Sequence, residues 1–530
     1  MIEEITSRRP YNAVSDFVDA NVARGLGDKV AFADPERSLT YGELQARTCR
    51  FAAALRELGV KPEERLVLLG HDTIDYPVAF WGAIRAGVVA IPMNTLLTVE
   101  QYVYLLADSR PSVVVVAPEF AKAILPLIEK LPRLRCVILL GAAGVGTIPT
   151  ATCAVHRFDE LVARVPAELH AASTVSDEVA FWLYTSGSTG DPKGVKHVHS
   201  SMMATAKLMG QGVLGVCPDD VVFSAAKLFF AYGLGNAMSF PMSVGATSVL
   251  LPHRPTPEAV FDIMHRHNPT IFYAVPSLFA ALLAHPQMSS GAGSRRLRLC
   301  VSAGEALPAH IGERWRATAG VDILDGLGST EMLQTFLSNR PGDIRYGSTG
   351  KPVPGYEMKI VDENGRELGN EEIGELAVRG PSAGEGYWNH RAKSRRTFVG
   401  EWTYTGDKYR RDSDGYYYYC GRTDDMFKVS GMWVSPFDVE AALVSHEAVL
   451  EAAVIGKQDA DGLTKPKAFI VLKNGYAADD HLLETLKLHV KQRAGAWKYP
   501  RWIDIRLDLP RTATGKIQRF KLRDEEAERL

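Results

Sequence analysis

Strongly apolar runs are nearly missing from this 530-residue chain, although 46% of its residues are hydrophobic. One long uncharged window, CVILLGAAGVGTIPTATCAV at residues 136–155, is strongly apolar only at its start and then turns to Gly, Thr and Pro. It reads as a buried strand entering a loop, not as a membrane span. Nor does the N-terminus resemble a secretory leader: MIEEITSRRP has acids where a leader has basic residues, and no apolar stretch follows. Cysteine is scarce. Cys49, Cys136, Cys153, Cys217, Cys300 and Cys420 are scattered, with no CxxC pair and no histidine at metal-ligand spacing, which argues against a disulfide scaffold or zinc ribbon and fits reduced thiols in a cytoplasm. An excess of either charge is also lacking. A formal charge of −2 supplies none of the basic field on which nucleic-acid binding depends, so neither nucleic acid nor a membrane is an expected partner. No repeat at solenoid periods is visible.

What the chain does have is length and a strict alternation of patterns. Residues 39–60, LTYGELQARTCRFAAALRELGV, space their apolar positions as a helix and close on Gly59. ERLVLLG, DYPVAFWGAIRAG, VVAIPMN, VEQYVYLLADSRP and SVVVVAP then alternate apolar strands with amphipathic helices, the signature of βαβ units and parallel sheet. The alternation returns from TSVLLP through PEAVFDIMHRHNP to TIFYAVP, so residues up to about 330 are expected to form two α/β layers. Beyond Gly347 the texture becomes short strands with Glu-Asn-Gly and Gly-Asn turns. A further αβ pattern follows from about residue 424. The expected fold class is α/β: a large N-terminal domain, residues 1–423, of two α/β layers plus a small β subdomain, then a small mobile α+β domain, residues 424–530.

The densest local signal is YTSGSTGDPKGV, residues 184–195. Its glycines let successive backbone N–H groups converge on an anion, Thr185, Ser186, Ser188 and Thr189 add hydroxyl donors, and Lys193 adds charge. It is not a Walker loop, because Lys193 follows Asp-Pro and runs into the strand-like GVKHVH instead of opening a helix. A plain hairpin connection is the competing reading.

The loop resembles the signature of the acyl-adenylate-forming superfamily, and further motifs follow in that family's order: SAGEALP (302–308), DGLGSTEM (325–332), YTGD (404–407), GRTDDMFKVSG (421–431) and PRTATGKIQR (510–519). KLFFAYGLGN (227–236), DGLGSTEMLQTFLSN and KVSGMWVSPFDVE are closer still to bacterial benzoate-CoA ligases and their hydroxybenzoate relatives. The resemblance implies ATP, Mg²⁺ and coenzyme A as cofactor and cosubstrates, an aromatic carboxylic acid as substrate, and a cytoplasmic monomer or homodimer. By the same resemblance Thr185, Ser186, Gly187, Ser188, Thr189, Gly190 and Lys193 grip the ATP phosphates. Ala303, Gly304, Glu305, Asp325, Gly326, Leu327, Gly328 and Ser329 border the nucleotide, and Asp407 and Arg422 take its ribose. Thr330 and Glu331 serve the phosphates and the metal, Glu331 being a hard oxygen ligand.

Lys516 is implied as the catalytic lysine that bridges the substrate carboxylate and the α-phosphate. Asp424 is implied as a hinge, with Phe230, Lys428 and Gly431 along the CoA channel. Phe230, Ala231, Tyr232, Gly233, Leu234, Ser302, Met332, Leu333 and Gln334 are implied to line the acyl pocket, which lacks an acid to hold an α-ammonium group. Three departures stand out: Leu327 where the family usually has an aromatic, Phe230 where many relatives have His, and Gln334 where benzoate ligases commonly have His. Since an amide both donates and accepts, Gln334 is a candidate to serve a ring hydroxyl or amino group. Taken singly the residues have plainer readings: Glu331 as a helix N-terminal acid, Asp407 as a turn residue, Asp424 and Asp425 as a solvated acidic turn, Lys516 as a solvated lysine. The implied activity is AMP-forming activation of benzoate or a simple substituted benzoate to its CoA thioester. The alternatives are a hydroxy- or aminobenzoate preference, loading of an aryl acid onto a separate carrier protein, and a nucleotide-binding regulator without catalysis.

Overall fold

The computed structural model describes residues 2–141, 153–164, 166–187, 190–423, 425–429, 432–460, 462–511 and 517–528. The chain separates into two compact units, residues 1–357 with 378–403, and residues 358–377 with 404–530. It is a mixed α/β protein in which the large unit carries the parallel sheets.

The first sheet of the large unit has seven strands in the order Ala154–Arg157, Cys136–Leu139, Val113–Val116, Arg65–Leu69, Val89–Pro92, Val179–Gly187 and Gly190–Val198. All neighbours are parallel except the last pair, an antiparallel hairpin. Val113–Val116 is buried at every position, as expected of a strand covered on both faces, where alternation gives way to a continuous apolar run. Val67, Val114, Val116 and Val137 pack under Tyr102, Leu105 and Leu106 of the helix Val99–Ser109. That helix starts where Thr98 and Gln101 form a reciprocal capping box, as Thr40 and Glu43 do for Tyr41–Glu57.

The second sheet has nine strands. Thr247–Val249, Val221–Ser224, Ile271–Ala274, Leu299–Ser302 and Ile323–Gly328 form its parallel core. Phe223, Phe272, Cys300 and Ile323 meet Phe261, Phe279 and Trp315 of the covering helices. The edge beyond Thr247–Val249 is closed by Val30–Ala33, parallel to it, and Ser38–Thr40. The chain therefore begins in its second sheet and only then builds the first, an order that local patterning does not reveal. Lys351–Pro352, past the change of texture at Gly347, still pairs into this sheet.

In the small unit, Val449–Gln458 and Thr464–Leu472 are antiparallel and Trp502–Ile505 joins the latter in parallel. Alternate residues divide between two cores. Val454, Ala468 and Ile470 face Leu443, Leu486 and Val490, while Ile455, Phe469 and Val471 face Leu509 and Leu522. Asp425 is not a solvated acid. Arg523 Nη1 donates to its Oδ1 at 2.7 Å and Arg519 Nη1 to its Oδ2 at 3.4 Å, and Arg519 also grips Glu440 through Nε and Nη2 at 2.9 and 2.6 Å. Among the described residues, no helix is long and apolar enough to cross a membrane.

Two buried imidazoles make the large unit sensitive to acid. Burial lowers His197 and His199 from 6.5 to about 4, and His199 Nδ1 accepts the backbone N–H of Ala13 at 3.2 Å. The unfolded chain takes up these protons near pH 6.5 while the folded one refuses them until about pH 4, so stability is lost as pH falls through that window. Each group accounts for up to about 3 kcal/mol at the acid end. Thermal unfolding followed from pH 7.5 to 4 should show a falling midpoint, and His197→Gln should flatten that slope.

Candidate functional site

The sequence motifs of the large unit converge on the C-terminal ends of its parallel strands, where α/β folds leave room for ligands. Val179–Gly187 and Gly190–Val198 pair antiparallel, with Thr185 opposite Lys193 and Gly187 opposite Gly190. Ser188 and Thr189 lie outside the described residues. The hairpin is held by Tyr184, which lies opposite Gly194 and whose hydroxyl donates to Asp108 Oδ2 at 2.7 Å.

A distant segment zips onto the hairpin's outer strand. Glu385 N–H donates to Lys196 O at 2.9 Å, Lys196 N–H to Gly386 O at 3.2 Å and Trp388 N–H to Gly194 O at 2.8 Å, with Val195 and Tyr387 forming a bridge. The Trp388 ring packs against Trp182, tilted by 34° with centroids 4.6 Å apart, and its Nε1 donates to Asp108 O at 3.0 Å. This places Tyr387 between two predicted site residues: its hydroxyl donates to Glu331 Oε1 at 2.7 Å, and Lys193 Nζ lies 5.5 Å from its ring centre. His197 Nε2 sits 2.8 Å from Thr330 O, the geometry of a donor to that carbonyl. Lys193, Thr330 and Glu331 are thus tied into one cluster. Neither Tyr387 nor His197 was a candidate from sequence. The only signal for Tyr387 was an aromatic pair after Gly386.

Thr330 to Gln334 form a tight turn in which Leu333 N–H donates to Thr330 O at 3.1 Å and Gln334 N–H to Met332 O at 2.8 Å. Leu333, buried, takes φ +66°, a left-handed conformation that costs a side-chain-bearing residue energy and is held only by its surroundings. Gly328 pairs so closely with the returning strand that a Cβ there would sit 2.8 Å from the Gln334 carbonyl carbon.

Ser302 and Asp325 lie in register on adjacent strands. Both are buried, and Ser302 Oγ and Asp325 Oδ1 have no protein hydrogen-bond partner. Burial pushes the Asp325 carboxyl well above its usual range, since a buried site disfavours the charged form. Ala303 is buried, whereas Gly304 and Glu305 are exposed.

The segment 227–236 is pinned from both sheets. Leu228 N–H reaches both Asp72 oxygens at 3.3 Å, and Lys227 Nζ donates to His253 O at 2.6 Å and to Leu251 O. Half-buried Phe230 precedes the short helix Ala231–Leu234, its ring edge-on to Phe229 at 4.5 Å. Tyr232 donates to Val301 O at 2.9 Å. Gln334 is 2% exposed: its Nε2 donates to Tyr232 O at 3.1 Å and Asn236 Oδ1 at 3.3 Å, and its Oε1 accepts from Thr335 N–H and Oγ1 at 2.8 and 2.9 Å. Two donors and two acceptor sites are all a carboxamide has. To read a ring substituent, Gln334 would have to surrender one of these bonds. In this structure it braces the helix Ala231–Leu234 and the following Asn236 against the strand Thr335–Ser338.

In the small unit Asp407 and Arg422 are register partners, with Arg422 Nη1 donating to Asp407 Oδ1 at 3.0 Å and to Thr405 O at 3.1 Å. Lys428 is exposed on the strand Phe427–Val429. Asp424, Gly431 and Lys516 lie outside the described residues. Arg511 and Ile517, the residues flanking 512–516, pair with each other.

The AMP-binding enzyme model matches residues 19–388, and the AMP-binding enzyme C-terminal domain model residues 438–516. The chain belongs to the AMP-binding enzyme family. It is 54% identical over 517 residues to a 4-hydroxybenzoate–CoA/benzoate–CoA ligase of Rhodopseudomonas palustris, covering 97% of this chain and 94% of that one. A crystal structure of a benzoate CoA ligase from Burkholderia xenovorans superposes with TM-score 0.88 at 48% identity, covering 97% of this chain and 100% of the other. An anthranilate CoA ligase in complex with anthranoyl-AMP superposes with TM-score 0.92 at 41% identity over 100% of both chains.

The brace has a test in stability. A Cβ at Gly235 would meet Gln334 Nε2 at 2.1 Å, so Gly235→Ala should lose about 1–3 kcal/mol of stability, the scale of a forced core shift, measurable by denaturant unfolding. Gly235 has right-handed helical dihedrals, φ −64° and ψ −56°, so backbone strain does not contribute to that loss.

Proposed function

We propose that the chain is an ATP-dependent, AMP-forming aryl-CoA ligase that converts benzoate or a simple substituted benzoate to its CoA thioester. The observation that carries this reading is the gathering of the hairpin, Lys193, Thr330 and Glu331 into one cluster in the large unit, on a chain of the AMP-binding family whose relatives include aromatic acid–CoA ligases. ATP and the aryl carboxylate give an aroyl-adenylate and pyrophosphate, and the thiol of CoA then displaces AMP.

In this scheme the hairpin and Lys193 hold the outer phosphates, while Asp407 and Arg422 receive the ribose. Lys516 stabilises charge at the α-phosphate as the adenylate forms. Glu331, a half-buried carboxylate already fixed by one donor, fits magnesium, which prefers hard oxygen ligands and keeps part of its shell for phosphate and water. When bound, that ion neutralises phosphate charge. The acyl end falls to the segment from Phe230 to Leu234 and to Met332 and Leu333. Ser302, with its unpartnered hydroxyl, borders both ends. Residues 424–530 move about Asp424 between the two half-reactions, with Phe230, Lys428 and Gly431 along the pantetheine path. The protein works in the cytoplasm.

Carboxylate-dependent exchange of labelled pyrophosphate into ATP tests the first half, and a panel of benzoate with its hydroxy, amino and fluoro derivatives ranks the acids by kcat/KM. Benzoate or 4-hydroxybenzoate should lead, with AMP and not ADP released. Absence of exchange with every acid would refute the ligase reading, and aroyl-adenylate formation without transfer to CoA would point to a carrier protein instead. Lys516→Ala should slow adenylation by about 10²–10³ yet leave thioester formation from supplied aroyl-adenylate largely intact. Equal loss in both halves would remove the lysine from this role.

A further inference from the structure

We propose that Tyr387 is a positioning residue for the phosphate end of the site, its phenol orienting the Glu331 carboxylate and its ring steadying the Lys193 ammonium. The inference rests on the ligase reading only for what Glu331 and Lys193 meet.

Tyr387 comes from a segment 56 residues beyond Glu331 in sequence, yet it is held in place independently of any ligand. Its backbone bridges Val195, two residues along the same strand from Lys193. Its N–H donates to Ser394 Oγ at 3.0 Å, and its ring, 6% exposed with the rest of the residue, lies edge-on to Phe398 at 5.4 Å. The hydroxyl is therefore a fixed donor. An ionised carboxylate accepting a phenolic O–H at 2.7 Å makes a short, charge-assisted bond. That bond selects one orientation of Glu331 and leaves its remaining lone pairs for a cation.

The main chain of Glu331 is gripped as well, by Gly384 N–H at 2.8 Å from its carbonyl. Gly384 and Tyr387 belong to the same segment, so one stretch of chain sets both the position and the rotamer of the acid. The Tyr387 ring presents its face to Lys193 Nζ at 5.5 Å, within the range in which a ring quadrupole attracts an ammonium. Tyr387 is thus the one side chain among these contacts that touches both charges. Outer contacts of this kind commonly change metal affinity or activity by 10–100-fold when removed.

The test uses the full chain, with Mn²⁺ as a paramagnetic probe titrated in the presence of ATP. Tyr387→Phe keeps the ring, its packing on Phe398 and its face toward Lys193, and removes the hydroxyl that donates to Glu331 and lies 3.4 Å from Thr397 Oγ1. It should weaken Mn²⁺ binding about tenfold and raise the Mg²⁺ concentration needed for half-maximal adenylation to match, while leaving KM for benzoate unchanged. Tyr387→Leu should in addition raise KM for ATP. In a Glu331→Gln background, Tyr387→Phe should cost nothing further.

Unchanged Mn²⁺ affinity in Tyr387→Phe would overturn the proposal, as would an equal loss in the Glu331→Gln background, which is what a general packing defect gives. Should Tyr387→Leu fail to fold, Tyr387→Phe alone decides. Wild-type protein that binds Mn²⁺ and ATP but makes no thioester from any aromatic acid would refute the ligase reading, and the Mn²⁺ series would still decide the role of Tyr387.

Discussion

An edge strand must satisfy its backbone, and in this protein that requirement shapes the site. Gly190–Val198 is the last strand of its sheet, so one row of its N–H and C=O groups faces away from the hairpin partner. Open strand edges invite pairing with whatever is near. Residues 384–388 fill that place with three backbone hydrogen bonds and a bridge. Everything else at the phosphate end follows from this pairing: Trp388 locks onto Trp182, Gly384 reaches the Glu331 carbonyl, and Tyr387 arrives between carboxylate and lysine. A polar hairpin that would otherwise be a loose connection gains a covered outer strand and a fixed approach.

Local patterning carried much of the architecture. The helix over residues 41–57, the strands at 65–69, 89–92 and 113–116 and the return of the pattern near 247–274 were readable because each is a run of one period, bounded by caps, glycine or proline. That a strand and not a helix follows Lys193 was readable for a related reason, since the residues after it alternate. What local patterning could not supply was pairing across long separations. Val30–Ala33 looks like any short strand, and only the assembled sheet shows that it lies beside Thr247–Val249.

The site divides in the same way. The residues that would touch a ligand advertised themselves through composition, as a density of glycine, hydroxyl and lysine or as an acid after Ser-Thr. The residues that hold them did not. Tyr387 and His197 are ordinary in sequence and acquire meaning from a 2.7 Å contact and a 2.8 Å contact made across 56 and 133 positions. Leu333 is the extreme case, because nothing about a leucine predicts a left-handed backbone. Gln334 shows the converse: a side chain versatile enough to suit a polar ring substituent turns out to spend its whole hydrogen-bonding capacity on its neighbours.

The arginine and glutamate contacts of the helix Arg519–Glu528 give the small unit an unusual dependence on its far end. Arg519 and Arg523 neutralise Asp425 and Glu440, Glu526 answers Lys457 and Lys467 at 2.8 and 2.6 Å, and Leu522 seals one face of the three-stranded sheet. Clipping this helix from the chain would strip counter-charges from carboxylates and lysines that are themselves largely buried, and uncover Phe469 to water. Buried charges that lose their partners are costly in a way that exposed ones are not. The final helix is therefore the keystone of the small unit's folding, and the place where a protease or a badly placed fusion would do the most damage.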